Sequence, residues 1–73
     1  MKVKVGKRIY RMSRKEYQGL LEIAREQVPM GIYALEKDDY AELRCDRCNS
    51  ITQLKKAVRG FKAQGFKVSY NGR

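Results

Sequence analysis

Hydrophobic and polar residues alternate strictly at the start of the chain, Lys2-Val3-Lys4-Val5, and a period of two predicts a strand with one buried face. Gly6-Lys7 fits a two-residue type II′ turn, with glycine at the position that needs a positive φ, and Arg8 to Met12 is expected to return as a second strand. Ser13-Arg14-Lys15-Glu16 is a capping box. In such a box the serine oxygen accepts from an N–H that the opening helical turn leaves unpaired, and the glutamate accepts from the serine N–H. Met12 and Tyr17 flank it at hydrophobic-staple positions. Tyr17, Leu20, Leu21, Ala24 and Val28 then recur on one helical face, and Pro29 with Gly31 ends the helix.

Ile32 to Lys37 and Tyr40 to Cys45 read as two strands joined around Asp38-Asp39. Alternation turns Ala41, Leu43 and Cys45 inward and Glu42 and Arg44 outward. A second capping box, Ser50-Ile51-Thr52-Gln53, opens a helix whose apolar stripe is Ile51, Leu54, Val58 and Phe61. Gly65 stands where a left-handed residue closes a helix, and Phe66 is placed to pack back on Phe61. Phe66, Val68 and Tyr70 alternate as a last strand, leaving Asn71-Gly72-Arg73 as a tail. The order β-β-α-β-β-α-β contains two strand–strand–helix units with the Ser13 and Ser50 boxes as shared landmarks, compatible with duplication. We expect one α+β domain over residues 1–73, an antiparallel sheet with both helices packed on one face.

Composition changes this picture little: 42% hydrophobic and 34% charged residues suit a globular chain. No apolar run reaches the roughly 18 residues of a membrane span, and the N-terminus lacks the apolar stretch of a signal peptide. The expected setting is cytoplasmic, with reduced cysteines.

Charge changes it more, because it is sorted. Residues 1–15 carry seven bases and no acid, residues 16–46 hold all eight acids against three bases, and residues 47–73 carry seven bases and no acid. The block sums +7, −5 and +7 give the net +9. Such segregation points to an anionic partner, nucleic acid or an acidic protein surface. On the second helix, 100° per residue aligns Lys55, Arg59 and Lys62 in one stripe beside the apolar one, with Lys56 further round. Lys2, Lys4, Arg8, Arg11 and the aromatic Tyr10 form a second candidate patch on the first two strands. Cations neutralise phosphates while rings stack on unpaired bases, and five phosphate contacts would give a log–log salt slope of about −4.5. If the two ends fold together, these residues make one continuous positive surface.

Two further chemistries, metal binding and catalysis, depend on the cysteines and on the missing histidine. Cys45-Asp46-Arg47-Cys48 is a single Cys-x-x-Cys, and zinc needs four ligands in a chain that has no histidine. A site shared across a homodimer, each protomer giving Cys45 and Cys48, would satisfy the metal. The plainer expectation is no cofactor, with Cys45 in the core and Cys48 in a turn. Without histidine no Ser-His or Cys-His pair forms, and the glycines make no phosphate loop, so the chain reads as non-enzymatic.

A small basic binder of nucleic acid or another anionic ligand is therefore the leading expectation. The alternatives are a protein-directed inhibitor docking on an acidic or nucleic-acid-binding surface, and a homodimeric structural or assembly protein. In size, basic balance and strand–helix layout the chain resembles short accessory proteins of bacteriophages and prophages. That resemblance implies a modulator of host nucleic-acid machinery, or an inhibitor of a host nuclease or defence system in the manner of anti-CRISPR proteins. It carries over no functional residue.

Overall fold

A computed structural model describes residues 1–72; Arg73, the last base of the C-terminal block, lies outside the described residues. The elements follow the expected order: β1 (Lys2–Val5), β2 (Arg8–Arg11), α1 (Arg14–Gln27), β3 (Gly31–Lys37), β4 (Tyr40–Arg47), α2 (Ile51–Ala63) and β5 (Lys67–Asn71). Local signals in the sequence account for most boundaries. Gly6 has φ +64° and Lys7 does not share it, as a type II′ turn requires. The Ser13 box is complete: Glu16 N–H donates to Ser13 Oγ at 3.2 Å and Ser13 N–H to Glu16 Oε1 at 3.2 Å. At Ser50 only half the box forms, because Gln53 Oε1 accepts instead from Asn49 N–H at 2.8 Å. α2 ends in a Schellman motif: Phe66 N–H donates to Phe61 O and Gly65 N–H to Lys62 O, with the Phe61 and Phe66 rings edge-on at 6.1 Å.

The five strands form one mixed sheet, β2-β1-β4-β3-β5. Its β1–β4 pair is parallel, which corrects the expected all-antiparallel sheet. The helices also lie on opposite faces, not on one. Val3, Ala41 and Tyr17 of α1 form one buried cluster; Ile32, Leu35, Leu54 and Val58 form another with α2. Ala41 stands opposite Glu36 and Glu42 opposite Leu35, so the two clusters fall on alternate sides of the pleat.

Connectivity explains the split. The pairings make β2 parallel to β3 and β4 parallel to β5, so α1 and α2 are both crossovers moving the same way across the sheet, but between strands of opposite direction. Two crossovers of the same hand must then lie on opposite faces, and one hand is strongly preferred.

Tyr17 lies under α1, 1% exposed, and burial, reinforced by the Glu36 carboxylate, pushes its hydroxyl up to about 12. At the other end of α1, Asn71 Nδ2–H donates to the Arg25 and Val28 carbonyls at 2.8 and 2.9 Å. Asn71 therefore belongs to β5 and closes α1, not to a tail. Among the described residues, no helix is long and apolar enough to cross a membrane.

Candidate nucleic-acid interface

α2 packs on the sheet through Leu54 and Val58, with Phe61 turned toward Arg44 of β4. The residues on its opposite flank, Lys55, Arg59 and Lys62, therefore point toward the β5 edge, as helical spacing requires. There they line one shallow depression together with Val58 and Tyr70 of β5. Tyr70 pairs with Ile32 across the β3–β5 ladder and so shares the α2 face, with 44% of its surface open. Lys56 is exposed further round the helix.

None of the four α2 cations enters an ion pair among the described residues. The side-chain pairs within 4.0 Å use Lys4 with Glu42, Arg14 with Glu36, and Arg44 with Glu42 and Asp46. Burial pulls Arg44 down, but Asp46 and Glu42 outweigh it and hold the guanidinium above its ordinary value. Lys37 and Arg47 are used by the fold as well: Lys37 donates to the Gln64 carbonyl beyond α2 and lies 5.4 Å from the Phe66 ring, and Arg47 donates to Gln27 at the end of α1. The cations consumed structurally thus come from all three blocks of sequence, but none is on α2, whose four cations are left to solvent.

The second predicted patch is divided. Register puts Lys2 opposite Arg11 and Lys4 opposite Ile9, so these four share the α2 side of the sheet; Val3 opposite Tyr10 and Val5 opposite Arg8 share the α1 side. Tyr10 is therefore exposed beside Arg8 but on the other face from Lys2, Lys4 and Arg11. Lys4 is partly neutralised by Glu42 at 4.0 Å.

Nor do the two patches merge. β2 and β5 are the two edges of the sheet, ~19 Å apart at the usual strand spacing, and the Glu42–Arg44–Asp46 network lies between them. Sequence reasoning could align residues along each element but not see which edge each element would occupy. It also missed Tyr70, whose alternation marked it only as a strand residue.

Cys48 lies in the turn between β4 and α2, as expected, but Cys45 is not in the core. Cys45 is exposed, whereas Cys48 is half-buried against the α2 cluster, its N–H donating to the Met30 carbonyl. The register shift between Ile32 and Ala34 breaks the alternation of β3, not of β4: Arg44 stays on the side of Glu42 and Asp46, and Cys45 keeps the Ala41–Leu43 side but falls outside the Val3–Tyr17–Ala41 cluster and is left exposed. Among the described residues, no three of His, Cys, Asp or Glu are grouped to hold a metal ion. Compared with protein-family models, curated protein sequences and solved structures, the chain finds no match in any of the three.

Proposed function

We propose that the chain is a small non-enzymatic binding protein whose α2 face contacts nucleic acid, with Lys55, Arg59 and Lys62 as the principal phosphate contacts and Lys56 as an auxiliary one. One observation carries this reading: three cations and an aromatic ring converge on a single depression at the β5 edge, and none of the cations has a carboxylate within 4.0 Å among the described residues. Such an arrangement attracts a polyanion through its backbone charge, with little reading of base edges.

Fluorescence anisotropy of labelled oligonucleotides across a salt series tests it. Three phosphate contacts give a log–log slope of about −2 to −3. The triple variant Lys55→Glu, Arg59→Glu, Lys62→Glu should keep the wild-type circular dichroism and lose that slope together with most of the affinity. A folded triple variant that binds as wild type does would refute the assignment.

A second reading is favoured by the β2 edge. Ile9 is 61% and Tyr10 44% exposed on a strand whose outer side has no partner among the described residues, flanked by Arg8 and Arg11. A partner protein with an acidic extended segment would add there as a strand, which is how an inhibitor of the kind considered above would dock. A symmetric second copy would set Arg8 against Arg11 and is electrostatically disfavoured. Pull-down from cells with nuclease treatment separates the two: protein capture that survives nuclease and is lost on Ile9→Asp favours the β2 reading.

A further inference from the structure

Resting on the nucleic-acid reading of α2, we infer that the strand it takes is single and that Tyr70 is the platform on which one unpaired base stacks. Lys55, Arg59 and Lys62 span about 10 Å along the helix axis, a single row of positive charge rather than two facing rows. A single row follows one backbone. Tyr70 sits in the same depression as those cations, beside Val58, so its ring lies next to the row and not out on a promontory.

A ring in that position is of no use to a duplex, whose bases hide their faces in the stack and offer only edges in the grooves. A strand with free bases can lay its phosphates along the row and one base on the ring, and such stacking tolerates any base because every base has a π-face.

The surroundings favour a narrow ligand as well. Asn71, next to Tyr70, borders a depression on the α1 side whose charged lining is Glu22, Arg25 and Glu26, net negative by one charge. A duplex broad enough to overhang β5 would bring its second strand toward those carboxylates. A single strand can remain on the α2 side.

The test compares affinities at fixed salt for a single-stranded DNA, an RNA of the same sequence, the corresponding duplex and inorganic polyphosphate, with wild type, Tyr70→Leu and Tyr70→Phe. Leucine keeps an apolar side chain beside Val58, phenylalanine keeps the ring, and circular dichroism checks the fold of each. The inference expects single strands to bind more tightly than duplex, about a tenfold loss for Tyr70→Leu on single strands, none on polyphosphate, and full retention by Tyr70→Phe. Preference for RNA or for DNA then names the source of the strand.

Equal affinity for duplex and single strand, or a Tyr70→Leu protein with undiminished single-strand binding, overturns this inference while leaving the α2 polyanion site standing. A wild-type protein that binds none of the four ligands at low salt overturns both.

Discussion

Gly31 offers the sharpest check on the sheet that places α2. It opens β3 with φ +149°, a backbone region open essentially to glycine alone, and it faces Arg47 in the middle of the sheet. A Cβ built there would lie 2.0 Å from the Asp46 carbonyl oxygen and 2.9 Å from Arg47 Cα. Ordinary carbon–oxygen contacts are about 3.3 Å or longer, so alanine demands that β3 and β4 part by roughly 1.3 Å or that the backbone rotate. The conformational strain costs about 1–3 kcal/mol and the overpacking a similar amount, giving about 2–6 kcal/mol for Gly31→Ala. A domain of 73 residues has a total stability of about 4–11 kcal/mol, so this substitution removes around half of it.

Gly60→Ala is the matched control: it lies inside α2 with nothing within 4 Å of its added carbon, and alanine should stabilise the protein by about 1 kcal/mol through helix propensity. Urea unfolding followed by circular dichroism reads both. At a slope of about 1 kcal/mol per molar, Gly31→Ala should lower the midpoint by at least about 2 M while Gly60→Ala raises it by about 1 M. A Gly31→Ala midpoint within about 0.5 M of wild type would falsify the β3–β4 register, and with it the placement of α2 and Tyr70.

Two further outcomes are expected. Tyr17, held at about 12 in the fold against about 10 when unfolded, contributes stability that is complete below pH 10 and lost between pH 10 and 12, on the order of 2 kcal/mol. The stability difference between wild type and Tyr17→Phe should therefore be flat up to pH 10 and fall above it, and a difference that stays flat to pH 12 refutes the burial of Tyr17. Arg59→Glu should turn three like-charge neighbours on α2 (Lys55, Lys56 and Lys62) into attractive pairs and stabilise the fold by about 1 kcal/mol at low salt, less at high salt. A destabilised Arg59→Glu protein would mean that the arginine serves the core after all.

The elements were legible because their signals are local. The Ser13 box, the Gly6 turn and the Gly65–Phe66 closure each sit within six residues of sequence, and each formed. What the sequence concealed is long-range. Nothing near Lys2–Val5 states that it pairs in parallel with Tyr40–Arg47, since that choice depends on how two hairpins meet after α1 has crossed between them. The faces of the helices follow from that choice, which is why two correctly bounded helices were expected on one face and lie on two. The same holds for the candidate site. The Lys55–Arg59–Lys62 stripe obeys helical spacing and could be read directly, whereas Tyr70 joins it only through the β3–β5 ladder. Cys45 keeps the side that alternation assigns it but lies beyond the cluster under α1, and periodicity cannot tell how far along a strand its cover extends.

The distribution of used and unused cations bears on whether the α2 stripe needs a partner to explain it. Surface lysines and arginines commonly serve solubility, and scattered positions with acids between them do that without cost to the helix. α2 does the opposite: it carries four bases and no acid, and its arginine has like-charged neighbours four and three residues before it (Lys55 and Lys56) and three residues after it (Lys62). Each such neighbour weakens the helix by a few tenths of a kcal/mol, and α2 has no acid in its first turn to offset this by interacting with the helix dipole. Elsewhere the same fold pairs Arg14, Arg44 and Lys4 with carboxylates and turns Lys37 and Arg47 onto carbonyls. Folding alone would be served better by a glutamate at position 59, so the charge that α2 retains is best accounted for by something it binds. Stability and polyanion affinity should therefore move in opposite directions when Arg59 is reversed, a combination that neither a solvated helix flank nor a core arginine would produce.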